Sequence, residues 1–170
     1  MNTQKFSFLI ISFNRAEDTI DAIKNVLQLE NVQGWEKEII VLNNGSTTDY
    51  SIIPAFLQTL TLEENAIIQY IHSNKNLGVS GGRNLLIQKS KGKYLLFMDD
   101  DSEIDNKDVI QKVLDLYKKY ESERLAIIGF LGQNPFTGKF DMPLKNPTLI
   151  EGKNEIFYNL FFGYGHVFPR

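Results

Sequence analysis

The chain has 170 residues, with 18 Lys and Arg against 21 Asp and Glu, a net charge of -3, 42% hydrophobic and 23% charged residues, and no Cys. That length suits one domain with a sizeable core and is too short for two complete ones. The acidic balance argues against a nucleic-acid binder held by phosphate neutralisation, and the missing Cys excludes a disulfide framework, a thiolate metal site and a cysteine nucleophile.

The first apolar run, residues 6–12, is short and nearly continuous, as in a strand covered on both faces. It is followed by Asn14-Arg15 and by no small-residue cleavage site, so it reads as a strand and not as a signal peptide. Residues 16–29 then place Ile20, Ile23 and Leu27 on one helical face. Residues 38–42 form a second strand signal, closed by Asn43-Asn44-Gly45-Ser46. Those residues match a glycosylation sequon, which carries no weight without a secretory signal. A short helix is expected over 51–60, a strand over 66–72, a glycine-opened helix over 80–89, and a strand over 94–98. Residues 106–120 form an amphipathic helix with Asp105 as its expected N-cap. A fifth strand is expected over 126–131.

After that strand the rhythm breaks. Residues 132–153 read as an irregular excursion, with a hairpin turn at Asn134-Pro135-Phe136-Thr137-Gly138. Residues 154–162 are aromatic and of ambiguous type, and residues 163–168 read as a glycine-entered strand. The order β-α-β-α-β-α-β-α predicts an α/β fold with an open, mostly parallel, Rossmann-like sheet and helices on both faces. A single domain of residues 1–170 is expected, with a core at 5–131 and an irregular tail at 132–170. No run reaches the roughly 20 apolar residues needed to cross a bilayer.

Ligands of open parallel sheets bind beyond the carboxyl ends of the strands. There the sequence places Phe13, Asn14 and Arg15, then Asn43 to Asp49, then Ser73 to Gly78 with Gly81, Gly82 and Arg83, then Asp99, Asp100, Asp101 and Glu103. Each loop alone is an ordinary turn composition, but together they converge on one edge. Three adjacent aspartates repel one another unless a cation sits among them. Carboxylate oxygens select hard ions, so Mg2+ or Mn2+ is expected, ahead of Ca2+. Arg83 and Lys75 offer charge to an anionic ligand, with Gly78, Gly81 and Gly82 allowing close backbone approach. The GxGxxG and GxxxxGK[ST] patterns are both missing, against NAD binding and P-loop hydrolysis.

Phe8 to Arg15, Ile40 to Ser46, Asn76-Leu77-Gly78 with Gly82-Arg83-Asn84, and Leu96 to Asp101 occur in an order and spacing that resemble the family 2 glycosyltransferases of GT-A fold. The match covers roughly residues 5 to 105, and Gly163 to Arg170 resembles that family's later glycine-entered segment. The resemblance implies a metal-dependent, inverting transfer of a sugar from a UDP-, GDP- or dTDP-linked donor to a glycan or lipid-linked acceptor, with Mn2+ or Mg2+ as cofactor. Surface-polysaccharide synthesis is the implied setting, cytoplasmic or peripheral at the inner membrane face.

By the same resemblance, Phe13 lies against the base, and Asn43 stands where the family carries an Asp that accepts a hydrogen bond from it. Asn14, Arg15, Ser46, Asn76 and Gly78 line the donor, with Arg83 near the phosphates or base. Asp99 contacts ribose or base and shares the metal. Asp100 is the variable middle of the acidic triplet, and Asp101 is the direct metal ligand. The family's general base lies beyond the glycine-entered segment, and Asp141, Glu151 and Glu155 do not match it, which implies a chain cut short of its base. His166, His72 and the aromatic group Phe157, Tyr158, Phe161 and Phe162 read as packing residues.

Two other classes remain open from the residues. One is a phosphohydrolase of the haloacid dehalogenase type, which places its nucleophilic Asp after the first strand, where this chain has Ser12-Phe13-Asn14. The other is a non-catalytic nucleotide-sugar-binding module.

Overall fold

The structure, a computed structural model, describes residues 3–134, 136–141 and 165–170. Its main sheet has six strands in the order β3-β2-β1-β4-β8-β5. β1 (Gln4–Ser12) is central and pairs in parallel with β2 (Trp35–Asn43) and β4 (Tyr94–Asp99), while β2 pairs in parallel with β3 (Ile68–His72). The expected open, mostly parallel α/β sheet is therefore what the chain forms. β8 (His166–Pro169) is the exception: it runs antiparallel between β4 and β5 (Ile128–Gly129).

The apolar runs of β1, β2 and β4 split by parity into two packed faces. Phe6, Phe8, Ile10, Ile39, Val41, Leu96 and Met98 pack with Ile23 and Val26 of α1 (Ala16–Leu27) and Val109, Ile110 and Val113 of α5 (Val109–Lys119). Leu9, Ile40, Leu42, Leu95 and Phe97 pack on the other face against Leu86 of α4 (Gly78–Lys89). Helices thus cover both faces, which is why these strands need no polar alternation.

Several expected boundaries move. The strand expected over 66–72 gives up its start to α3 (Leu62–Ala66), because Thr61 and Glu64 form a reciprocal capping box. α2 (Ile52–Leu57) is shorter than expected. α5 begins after Asp108 and not after Asp105, and its N-cap makes no side-chain cap bond. The fifth strand contracts to two residues. β6 (Gly132–Gln133) and β7 (Phe140–Asp141) form the expected hairpin, with the Asn134 carboxamide oxygen accepting from the Phe136 and Thr137 amides. Residues 151–162, including Glu151, Glu155 and the aromatic group, lie outside the described residues.

A buried cation finishes α1. Lys37, on β2, donates from Nζ to the carbonyls of Val26, Leu27 and Leu29 at 3.4, 3.0 and 2.7 Å. These carbonyls are the orphan acceptors of a helix end. Burial holds the Lys37 ammonium below its usual 10.5, so the unfolded chain binds that proton more tightly. Stability from this residue therefore rises as pH climbs toward 10.5. Lys37→Met is expected to destabilise the fold by about 2 kcal/mol, because it strands buried acceptors. Chemical denaturation at several pH values should show the loss and the absence of the alkaline rise in the variant.

Candidate functional site

The C-terminal ends of β1, β2, β3 and β4 share one edge because the four strands are parallel. β1 leaves that edge through Phe13, Asn14 and Arg15. Asn14 is held in the left-handed region at φ 60°, a conformation that Asn tolerates better than most residues. Its amide donates to Ser46 Oγ at 2.9 Å, and its side-chain oxygen accepts from the Thr47 amide at 2.8 Å. This ties the β1 exit to the β2 exit and leaves Phe13 41% exposed.

Asp100, the middle of the triplet, is the buried one. Its Oδ2 accepts from the Phe13 amide at 3.2 Å, and Ser12 also bonds it. Burial pushes its carboxyl up, and those bonds together with Arg15 pull it back. Ser12 Oγ sits 2.6 Å from Thr19 Oγ1 and 2.7 Å from Tyr50 Oη, and the Arg15 amide donates to Tyr50 Oη at 2.8 Å. A chain of hydroxyls thus fixes the backbone from Ser12 to Arg15. Thr19 and Tyr50 were not legible as members of this network: one lies inside a helix and the other ends a polar loop, and nothing local marks either.

Asp99 and Asp101 face outward. Arg15 Nη1 bonds Asp101 Oδ2 and lies 3.5 Å from Asp100 Oδ1. The Asp101 charge raises the guanidinium's affinity for its proton. Arg83 Nη2 lies 3.6 Å from Asp99 Oδ1, and its guanidinium stacks over the Phe97 ring at 5.1 Å. Among the described residues its buried Nε has no hydrogen-bond partner. Burial raises the Asp99 carboxyl, opposed by Arg83. The edge therefore presents two accessible carboxylates between two guanidiniums.

Among the described residues, no three Asp, Glu or His side chains gather into a ready metal cage. The donors present still fit a hard divalent ion of the kind that takes one or two carboxylates and completes its shell from ligand oxygen and water. A cation already answers their field, since the Arg15 guanidinium is drawn against both Asp100 and Asp101.

Other expected site residues are placed differently. Asn43 is buried, with its oxygen accepting from the Ser46 amide at 3.0 Å and its amide donating to Tyr70 Oη at 3.2 Å. Its side chain is spent on holding the loop. Asn76 and Gly78 are exposed, and Asn44, which sequence reasoning gave no separate role, clamps them: its amide donates to Asn76 Oδ1 at 3.1 Å and to the Gly78 carbonyl at 3.3 Å. Gly45 is required here, at φ +74° with an added Cβ 2.2 Å from the Lys75 carbonyl carbon. α4 starts at Gly78, two residues before the expected start, and holds Gly81 and Gly82 within the helix as expected. Gly82 instead lets α4 press on β1, where a Cβ would stand 2.3 Å from Ile11 Cδ1. His72 is exposed at the end of β3, and His166 is buried beside Phe97 with ring centroids 5.3 Å apart.

A family profile described as Glycosyl transferase family 2 matches residues 7–169. A Haemophilus influenzae protein is 32% identical over 98% of this chain and 88% of its own length. A Rickettsia bellii glycosyltransferase is 41% identical over 57% of this chain, which spans only 13% of that protein. The mannosyltransferase PcManGT from Pyrobaculum calidifontis, solved with GDP-Man and Mn2+, superposes with a TM-score of 0.63 at 13% identity, covering 78% of this chain and 36% of that one. That likeness establishes a shared GT-A fold.

Proposed function

The chain belongs to glycosyl transferase family 2, and on that premise we propose that the Asp99–Asp101 edge binds the diphosphate of a nucleotide sugar together with Mn2+ or Mg2+, for inverting transfer of the sugar to the hydroxyl of a glycan or lipid-linked acceptor. One observation carries the reading: the outward carboxylates of Asp99 and Asp101 stand between the guanidiniums of Arg15 and Arg83 at the mouth of four parallel strands. The complex of the structural neighbour with GDP-Man and Mn2+ supports the donor and metal classes.

Phe13 offers an exposed ring for a nucleotide base to stack on. Arg83, already stripped of part of its water by Phe97, presents a fork to phosphate oxygens. Asp99 and Asp101 would hold the cation, and Asp100 acts from below by fixing the Phe13 amide. A divalent ion bound there supplies Lewis-acid stabilisation of the charge that grows on the leaving diphosphate. Arg83 opposes the same charge from the protein side. The attacking hydroxyl requires a general base, which is not assigned among the described residues.

Calorimetric titration with UDP, GDP and dTDP, each with and without Mn2+, tests the reading. One nucleotide is expected to bind, and to bind at least tenfold more tightly with the ion. Failure of all three under both conditions would overturn the assignment.

A further inference from the structure

The opposite edge of the sheet carries a second charge pattern. β1, β2 and β4 begin there, and β8 ends there, which brings Lys5, Trp35, Tyr94 and Arg170 together. Two shallow clefts adjoin along this edge and share Lys93. The first, about 480 Å3, is walled by Trp35, Tyr94, Tyr117 and Tyr120 and rimmed by Lys93, Lys118, Arg124 and Glu121. The second, about 440 Å3, is lined by Lys5, Lys91, Lys93 and Arg170 and, among the described residues, by no acidic one.

Some of these cations are committed within the chain. Lys5 pairs with Glu36 at 3.7 Å, and the Arg170 guanidinium bonds the carbonyls of Ser90 and Ile87. Lys91, Lys93, Lys118 and Arg124 are exposed, and among the described residues none has a carboxylate within ion-pair distance. Lys93 rests on the faces of Trp35 and Tyr94 at 5.9 and 5.7 Å. In a chain of net charge -3, four unanswered cations grouped on one edge repel one another and attract an external anion.

We propose that this edge docks the protein on an anionic lipid surface. The clefts are open and shallow, which suits a surface of headgroups better than an enclosed ligand. Clusters of four to eight Lys and Arg are the recognised footprint of acidic lipids. Trp and Tyr, with an apolar body and a polar tip, belong at the water–lipid boundary. The strands run from this edge to the Asp99–Asp101 edge, so docking holds the candidate donor site above the lipid, where it meets the outer end of a glycan chain, free or lipid-linked. The nine residues of β1 set that separation at roughly 30 Å, at about 3.3 Å per residue.

The test is co-sedimentation of the full chain with vesicles of phosphatidylcholine alone and of phosphatidylcholine mixed with phosphatidylglycerol. Binding is expected only to the mixed vesicles, and it should be lost in high salt. At about fivefold per cation near the surface, the double variant Lys91→Glu/Lys118→Glu should bind roughly 25-fold more weakly or worse. Circular dichroism and nucleotide titration of that variant confirm an intact fold and donor edge, so this proposal can fail while the donor-site reading stands. Equal binding to neutral vesicles, no binding to either, or an unchanged double variant would overturn it. So would capture of a soluble acidic glycan or polyuridylate in place of the vesicles.

Discussion

Replacing Asp101 with Asn is expected to reduce sugar transfer by about 1,000-fold in kcat, because a divalent ion at a leaving diphosphate contributes several kcal/mol of transition-state stabilisation. The substitution keeps size and hydrogen-bonding capacity and removes only the charge. Asp101 is half exposed, and its partner Arg15 is equally so, so the fold itself should lose no more than about 0.5 kcal/mol. Thermal denaturation separates the two effects: the melting temperature should stay near that of the parent while transfer collapses. The Mn2+-dependent part of nucleotide binding should vanish with it. If the variant retained parental kcat and parental Mn2+ dependence, Asp101 would not be the ligand.

Replacing Arg83 with Ala is expected to lower kcat/KM by about 100-fold, the scale of removing one preorganised donor from a developing negative charge. Arg83 differs from the exposed lysines of the opposite edge because its guanidinium is stacked on Phe97 and mostly shielded from water. A charge in such a place acts more strongly than one in bulk solvent. Arg83→Lys should recover only part of the loss, since an ammonium keeps the charge but has neither the planar fork nor the stacking face. Steady-state kinetics of the two variants, read beside their melting curves, decide this. Equal rates for Arg83→Lys and the parent would mean that charge alone matters there.

Both predictions concern residues whose place beyond the strand ends was legible in the sequence. Asp99 to Asp101 close the apolar run of β4, and Arg83 lies in α4, the helix entered from the end of β3, so the parallel sheet carries both to one edge. Asp100 shows where that reasoning stops. It reads as one acid of three, yet its carboxylate turns inward to the Phe13 amide, a direction that no spacing encodes. Asn43 is similar: the position was legible, but both polar ends are taken by Ser46 and Tyr70, and Tyr70 comes from a neighbouring strand. Gly81 and Gly82 read as the opening of a helix although glycine is a weak helix former. Contact with Ile11 explains why glycine is nonetheless held inside α4.

By itself the sequence determined the fold class, the strand ends that carry the polar groups, and the family. Those follow from short-range periodicity and from motifs whose parts lie within a few residues of each other. Tertiary structure alone decided that β8 enters antiparallel between β4 and β5, that Arg15 crosses to Asp101, and that cations from five separate segments meet on the far edge. Each is a meeting of residues distant along the chain, fixed by which strands pair and by how one loop turns at Asn14, and no local pattern specifies such a meeting.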